Sequence, residues 1–183
     1  MFGENGLQKN QVPTTQSFIG DEDEQSTVMV HRKIYLDVCC LCRPFDDQTV
    51  HRIRMETEAI TEILKHCMID WELVGSEAIE SEIFEISDEE RRESVESVLQ
   101  FAKSRVVINE EVEASARKYH LCGLEPFDAL HLACAESAGA IFLTTDATLI
   151  KSIKRHEDKI TTGVHNPVQW LMEVTKDGSE DIE

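Results

Sequence analysis

From Leu124 to Ile150 the chain runs LEPFDALHLACAESAGAIFLTTDATLI, and this stretch restricts the possible folds more than any other. Pro126 suits the first turn of a helix and Gly139 suits the turn that ends it. The apolar triplet Ile141-Phe142-Leu143 reads as a short strand, and a second helix follows it. A strand set between two helices belongs to a parallel sheet whose faces the helices cover. Asp128 and Asp146 stand at the two helix starts, one on each side of the strand. Open sheets of this kind bind ligands beyond the carboxyl ends of their strands, so both acids are expected at the binding edge.

The same alternation runs through the chain. Ile34 to Val38, Trp71 to Val74, Arg105 to Ile108 and Lys159 to Val164 read as further strands. Between them, Val50, Ile53, Thr57, Ile60, Leu64 and Cys67 recur at helical spacing. Ser76, Asp88 and Asn109 are placed to cap three more helices, and Asn166-Pro167 opens a terminal one. Short strands alternating with helices predict an α/β fold, a central, mainly parallel sheet of four to five strands in a three-layer α/β/α sandwich. The organised domain is expected over residues 31–175. Residues 1–30 form an acidic leader without structural pattern, with Met29 as an alternative start, and 176–183 form an acidic tail.

The chain carries a net charge of −18. The two ends account for part of this, but residues 31–176 still hold 27 acids against 17 bases. Such a balance excludes a broad basic surface for gripping nucleic acid, so any RNA would need local basic patches or a basic partner. Cys39-x-x-Cys42 has no second pair to complete a zinc site, and adjacent cysteines in a strand would point apart, so reduced thiols in a cytoplasmic protein are expected. No apolar run is long enough to span a membrane.

The chemistry lies in four acids. Asp37 closes the first strand, Asp146 follows the fourth, Asp128 opens the preceding helix, and Glu82 lies two turns into the helix after the second strand. All four can reach one sheet edge, where their mutual repulsion calls for a hard divalent cation, Mg²⁺ or Mn²⁺, held by oxygen ligands. Such an ion activates water and polarises phosphoryl oxygens.

The segments IYLDVCCL, GSEAIESEI, DALHLA, FLTTDATL and HNPVQWL, in this order and spacing, resemble a PIN-domain protein, and within that family the VapC-like toxin ribonucleases. The resemblance covers residues 33 to 173 and implies a PIN-like fold. It implies a Mg²⁺- or Mn²⁺-dependent endoribonuclease acting on RNA, the toxin of a toxin–antitoxin pair, with a protein antitoxin and a homodimer among its associations. On this alignment Asp37, Glu82, Asp128 and Asp146 are the metal-binding and catalytic acids, and Thr144 is the hydroxyl group two residues before the last. The chain departs from the family at Val38 and Cys39, where Thr or Ser and then Asn commonly stand.

Each residue also has a plainer reading. Asp128 and Asp146 are placed to cap helices, Thr144 to satisfy a neighbouring backbone group, and His131 to pack in the core or turn toward the site. Glu77 and Glu80 compete with Glu82 for the glutamate position, and Ile79 and Ile83 beside Glu82 favour the last. Arg43 is a candidate phosphate contact or a partner of Asp46 or Asp47. Lys151, with Lys154 and Arg155, forms a basic strip for substrate or a solvated helix face. A non-catalytic PIN-like interaction module is the alternative function. Phosphatase and receiver folds fit poorly, because Cys39 stands where the former needs a second Asp.

Overall fold

A computed structural model describes residues 32–177. The leader expected over residues 1–30, with Met29, and the tail from residue 178 onward lie outside the described residues.

Five strands form one sheet: β1 (Lys33–Leu36), β2 (Glu72–Ser76), β3 (Ser104–Val106), β4 (Ile141–Leu143) and β5 (Val164–His165). Their order is β3-β2-β1-β4-β5 and every pairing is parallel. The helices are α1 (Val38–Cys42), α2 (His51–Ile69), α3 (Glu77–Phe84), α4 (Glu89–Leu99), α5 (Glu110–Leu121), α6 (Pro126–Ala138), α7 (Ala147–Lys154) and α8 (Pro167–Asp177). Ile34, Tyr35 and Leu36 are consecutive and all fully buried, which requires cover on both faces of β1. Trp170 of α8 meets Trp71 edge-on at 5.2 Å, locking the last helix to the end of α2.

The order of strands positions the site. From β1 the chain steps outward to β2 and β3, returns to lie beside β1 as β4, and continues to β5. The direction of winding reverses between β1 and β4. Loops leaving those two strands therefore diverge and open a crevice at their carboxyl ends. Asp37 leaves β1 and Thr144-Thr145-Asp146 leave β4 at that point.

Several boundaries differ from those the sequence predicts. β1 stops at Leu36, and the apolar run Val38–Cys42 turns at once into helix: the Asp37 carbonyl accepts from the N–H of Cys40 at 2.8 Å and of Leu41 at 3.1 Å. Cys39 and Cys40 are thus helical neighbours, and all six cysteines are free thiols. β2 runs on through Gly75 and Ser76, which reads from sequence as a turn. β5 begins where the last strand was expected to end. Its only partner among the described residues, β4, is three residues long, and Ile160 is buried in the loop before β5 instead. Ser76, Asp88 and Asn109 cap α3, α4 and α5 as expected, and Gly139 ends α6 at φ 63°.

Candidate metal centre

Asp37 occupies the position before α1 but does not cap that helix. Its side chain crosses the crevice to β4, where the Thr144 hydroxyl donates to Oδ2 at 2.7 Å. The Cys39 thiol donates to the same oxygen at 3.0 Å. Its sulfur in turn accepts from the hydroxyl and N–H of Thr145 at 3.2 and 3.4 Å. The thiol at the family's departure point therefore keeps a donor on Asp37, a weak one. Thr144 Oγ1 also accepts from the Asp146 N–H at 3.1 Å. One buried hydroxyl thus ties the first acid to the backbone of the last.

Asp146 caps α7 with Oδ1, which accepts from Thr148 N–H at 2.7 Å and Leu149 N–H at 3.1 Å. Its other oxygen has no hydrogen-bond partner among the described residues, so capping and a place in the site are compatible. Asp128 is the third residue of α6 and half-buried. Burial first, then the charges of Asp37 and Asp146, raise its carboxyl to about 6. The His131 ring acts in the opposite sense and Glu82 adds a smaller upward push. Asp128 is therefore close enough to feel the other three carboxylates.

Glu82 projects from the second turn of α3, and its Oε2 lies 2.6 Å from His131 Nε2. Glu77 and Glu80 are turned away to Arg105, at 3.3 and 2.6 Å. Asp37, Glu82 and His131 form the tightest group, each offering one ligand atom within 4.8 Å of the others. Asp128 and Asp146 flank this group and do not belong to it.

Among the described residues, no lysine or arginine forms an ion pair with any of these four acids. Gathered oxygen donors without a cationic partner, one of them pushed toward its neutral form, fit a hard divalent cation. Of the remaining expected residues, Arg43 has its guanidinium between Asp46 at 2.8 Å and Glu56 at 2.7 Å, so its plainer reading describes its contacts. Lys151 is exposed on α7.

Sequence reasoning left His131 undecided, and it missed Tyr35, the hydrogen bond that joins it to the capping Ser76, and the donor role of Cys39. The spacing of three between Asp128 and His131 puts them on one helix face and was the available signal. No local pattern marks Tyr35.

A PIN-domain family model matches residues 34–155. No curated protein sequence matches the chain. Among solved structures, FitAcB from Neisseria gonorrhoeae is similar over 73% of this chain and 97% of that one, with TM-score 0.51 and 16% identity. FitAB bound to an IR36 DNA fragment is similar over 74% and 95%, with TM-score 0.50 and 18% identity. VapBC-1 from nontypeable Haemophilus influenzae is similar over 74% and 98%, with TM-score 0.49 and 14% identity. At these identities the first two likenesses speak for the fold.

Proposed function

The chain belongs to the PIN-domain family, and from this premise we propose that it is a metal-dependent endoribonuclease, the toxin of a toxin–antitoxin pair. One observation supports the reading: Asp37 and Glu82 gather with His131 beyond the switch point of the sheet, Asp128 lies within electrostatic reach of Asp37, Asp146 and Glu82, and no lysine or arginine among the described residues forms an ion pair with any of the four. Asp37, Glu82, Asp128 and Asp146 would hold Mg²⁺ or Mn²⁺. A bound ion of this kind supplies an activated water and polarises a phosphoryl oxygen.

The chain's own groups have distinct tasks. Thr144 orients Asp37 and holds the start of α7 against it. Asp128, raised to about 6 while no cation is bound, would be drawn to its ionised form as a ligand when one binds. Lys151 and Lys154 on α7, Arg155 at its end, and Arg43 if released from Asp46 and Glu56, are the candidate cations for an RNA backbone. A chain of net charge −18 with an acidic crevice suits a basic inhibitory partner, which is the chemistry expected of an antitoxin segment. No helix among the described residues is long and apolar enough to cross a membrane, and six free thiols suit a reducing, cytoplasmic setting.

The test is cleavage of RNA by the purified chain in Mg²⁺, Mn²⁺ or EDTA, with Asp37→Asn beside the wild type. Activity confined to the metal-containing wild type is expected. Equal cleavage by both proteins in EDTA removes the proposal. Size exclusion of the same sample, alone and with the product of its genetic neighbour, tests the homodimer and the antitoxin.

A further inference from the structure

Glu82 is held by more than its helix. The Ile79 N–H donates to Ser76 Oγ at 3.1 Å, which caps α3. Ser76 Oγ lies 2.6 Å from Tyr35 OH, Tyr35 OH lies 2.8 Å from His131 Nδ1, and His131 Nε2 lies 2.6 Å from Glu82 Oε2. Ser76 and Tyr35 are fully buried and His131 is 1% exposed, so the line is shielded from water up to the Glu82 carboxylate, which is partly exposed.

With a neutral imidazole, a single direction of donation satisfies the whole line. An ionised carboxylate oxygen requires a donor, so Nε2 carries the ring hydrogen. Nδ1 is then an acceptor and takes the Tyr35 hydroxyl hydrogen, and the Tyr35 oxygen takes that of Ser76. Ser76 keeps a lone pair for the Ile79 N–H. The line closes on itself, because the helix that Ser76 caps is the helix that carries Glu82. One hydroxyl therefore sets both the backbone under Glu82 and, through Tyr35 and His131, the direction of its carboxylate.

We propose that His131 is a positioning residue for Glu82, and that the Ser76–Tyr35–His131 line sets the affinity of the acidic crevice for a divalent cation. The inference rests on the metal-dependent reading above. With Oε2 engaged by the imidazole, Oε1 of Glu82 would remain for an ion. The rotamer freedom that a long, partly exposed glutamate would lose on binding is lost already in the fold. Partners of this kind behind a ligand typically change metal affinity 10- to 100-fold.

The experiment is a Mn²⁺ titration of the full chain, followed by the electron paramagnetic resonance of free Mn²⁺, with thermal unfolding recorded for each protein. His131→Leu should bind Mn²⁺ roughly 10- to 100-fold more weakly than wild type. His131→Gln, whose amide nitrogen can donate from near the place of Nε2, should recover most of that loss. Tyr35→Phe, which leaves both imidazole and carboxylate in place, should show a smaller loss, and it carries the test if His131→Leu does not fold. Wild-type affinity in both His131→Leu and Tyr35→Phe, with binding abolished in Asp37→Asn, overturns the inference and leaves the metal reading standing. A directly bound nitrogen in the Mn²⁺ spectrum, absent from His131→Leu, makes His131 a ligand and also overturns it. Failure of the wild type to bind Mn²⁺ overturns the metal reading, and this inference with it.

Discussion

Asp128 offers a test of the acidic crevice that needs no substrate. Burial and the charges of Asp37 and Asp146 raise its carboxyl from an ordinary 3.8 to about 6. Ionisation is therefore disfavoured in the folded chain relative to the unfolded one. Stability from this group is complete below pH 3.8 and is lost as pH rises through about 6. Roughly two pKa units correspond to about 3 kcal/mol in a dry site; for a half-exposed carboxyl, screening by water leaves about 1 to 2 kcal/mol. Asp128→Asn removes the charge at nearly constant volume. In EDTA at pH 8 the variant should unfold higher by roughly 3 to 6 °C. At pH 5 the folded carboxyl is mostly protonated, and about half of that gain should remain. Saturating Mn²⁺ should reverse the order, since a bound cation stabilises the ionised group that Asn cannot supply. Thermal unfolding by circular dichroism at the two pH values, with and without metal, reads all of this. An equal gain at pH 5 and pH 8, or a wild type more stable than the variant in EDTA at pH 8, refutes the account of why Asp128 is raised.

Two further substitutions separate structural from functional roles. Asn caps helices as well as Asp does, so Asp146→Asn should keep the melting temperature within about 2 °C while RNA cleavage falls at least about 100-fold; Asp146→Ala should lose cleavage and about 1 kcal/mol of stability besides. A drop in stability common to both would show that the charge of Asp146, and not its cap, supports the fold. Thr144→Val removes the hydroxyl between Asp37 and the Asp146 N–H, leaving groups with lost partners, and urea unfolding should show a loss of about 1 to 3 kcal/mol. Full cleavage activity in a folded Thr144→Val would exclude Thr144 from orienting Asp37.

The sheet was legible because its signals are local. A triplet such as Ile141–Leu143 between a Pro-opened and an Asp-capped helix leaves few architectures open, and the caps at Ser76, Asp88 and Asn109 each rest on a side chain and a backbone N–H three residues on. The errors arise where apolar runs say nothing about period. Val38–Cys42 continues the hydrophobicity of β1 and reads as more strand, yet two backbone bonds to the Asp37 carbonyl make it helix. Ile160 is buried without belonging to a strand, so its apolar signal moved the expected β5 toward the N-terminus.

The acids and their supports differ in the same way. Strand ends are functional places in this architecture, so Asp37 and Asp146 could be singled out from topology alone, while capping and site roles were posed as rivals for Asp128 and Asp146. Asp146 shows that the rivalry was false: one oxygen caps α7, and the other has no hydrogen-bond partner among the described residues. Cys39 shows the reverse limit. Read against a family pattern it is a missing polar group, and only the neighbouring β4 loop reveals a thiol donating to Asp37 and fixed by Thr145. The line to Glu82 joins residues 41, 96 and 49 positions apart, and each link depends on how β1, β2, α3 and α6 pack. Topology can therefore place a carboxylate at an edge, but only packing decides which way it points. The difference between an acid that caps a helix and one that holds an ion lies in that direction, so Tyr35, Ser76 and His131, which appear in no acidic motif, bear on function as directly as Glu82 does.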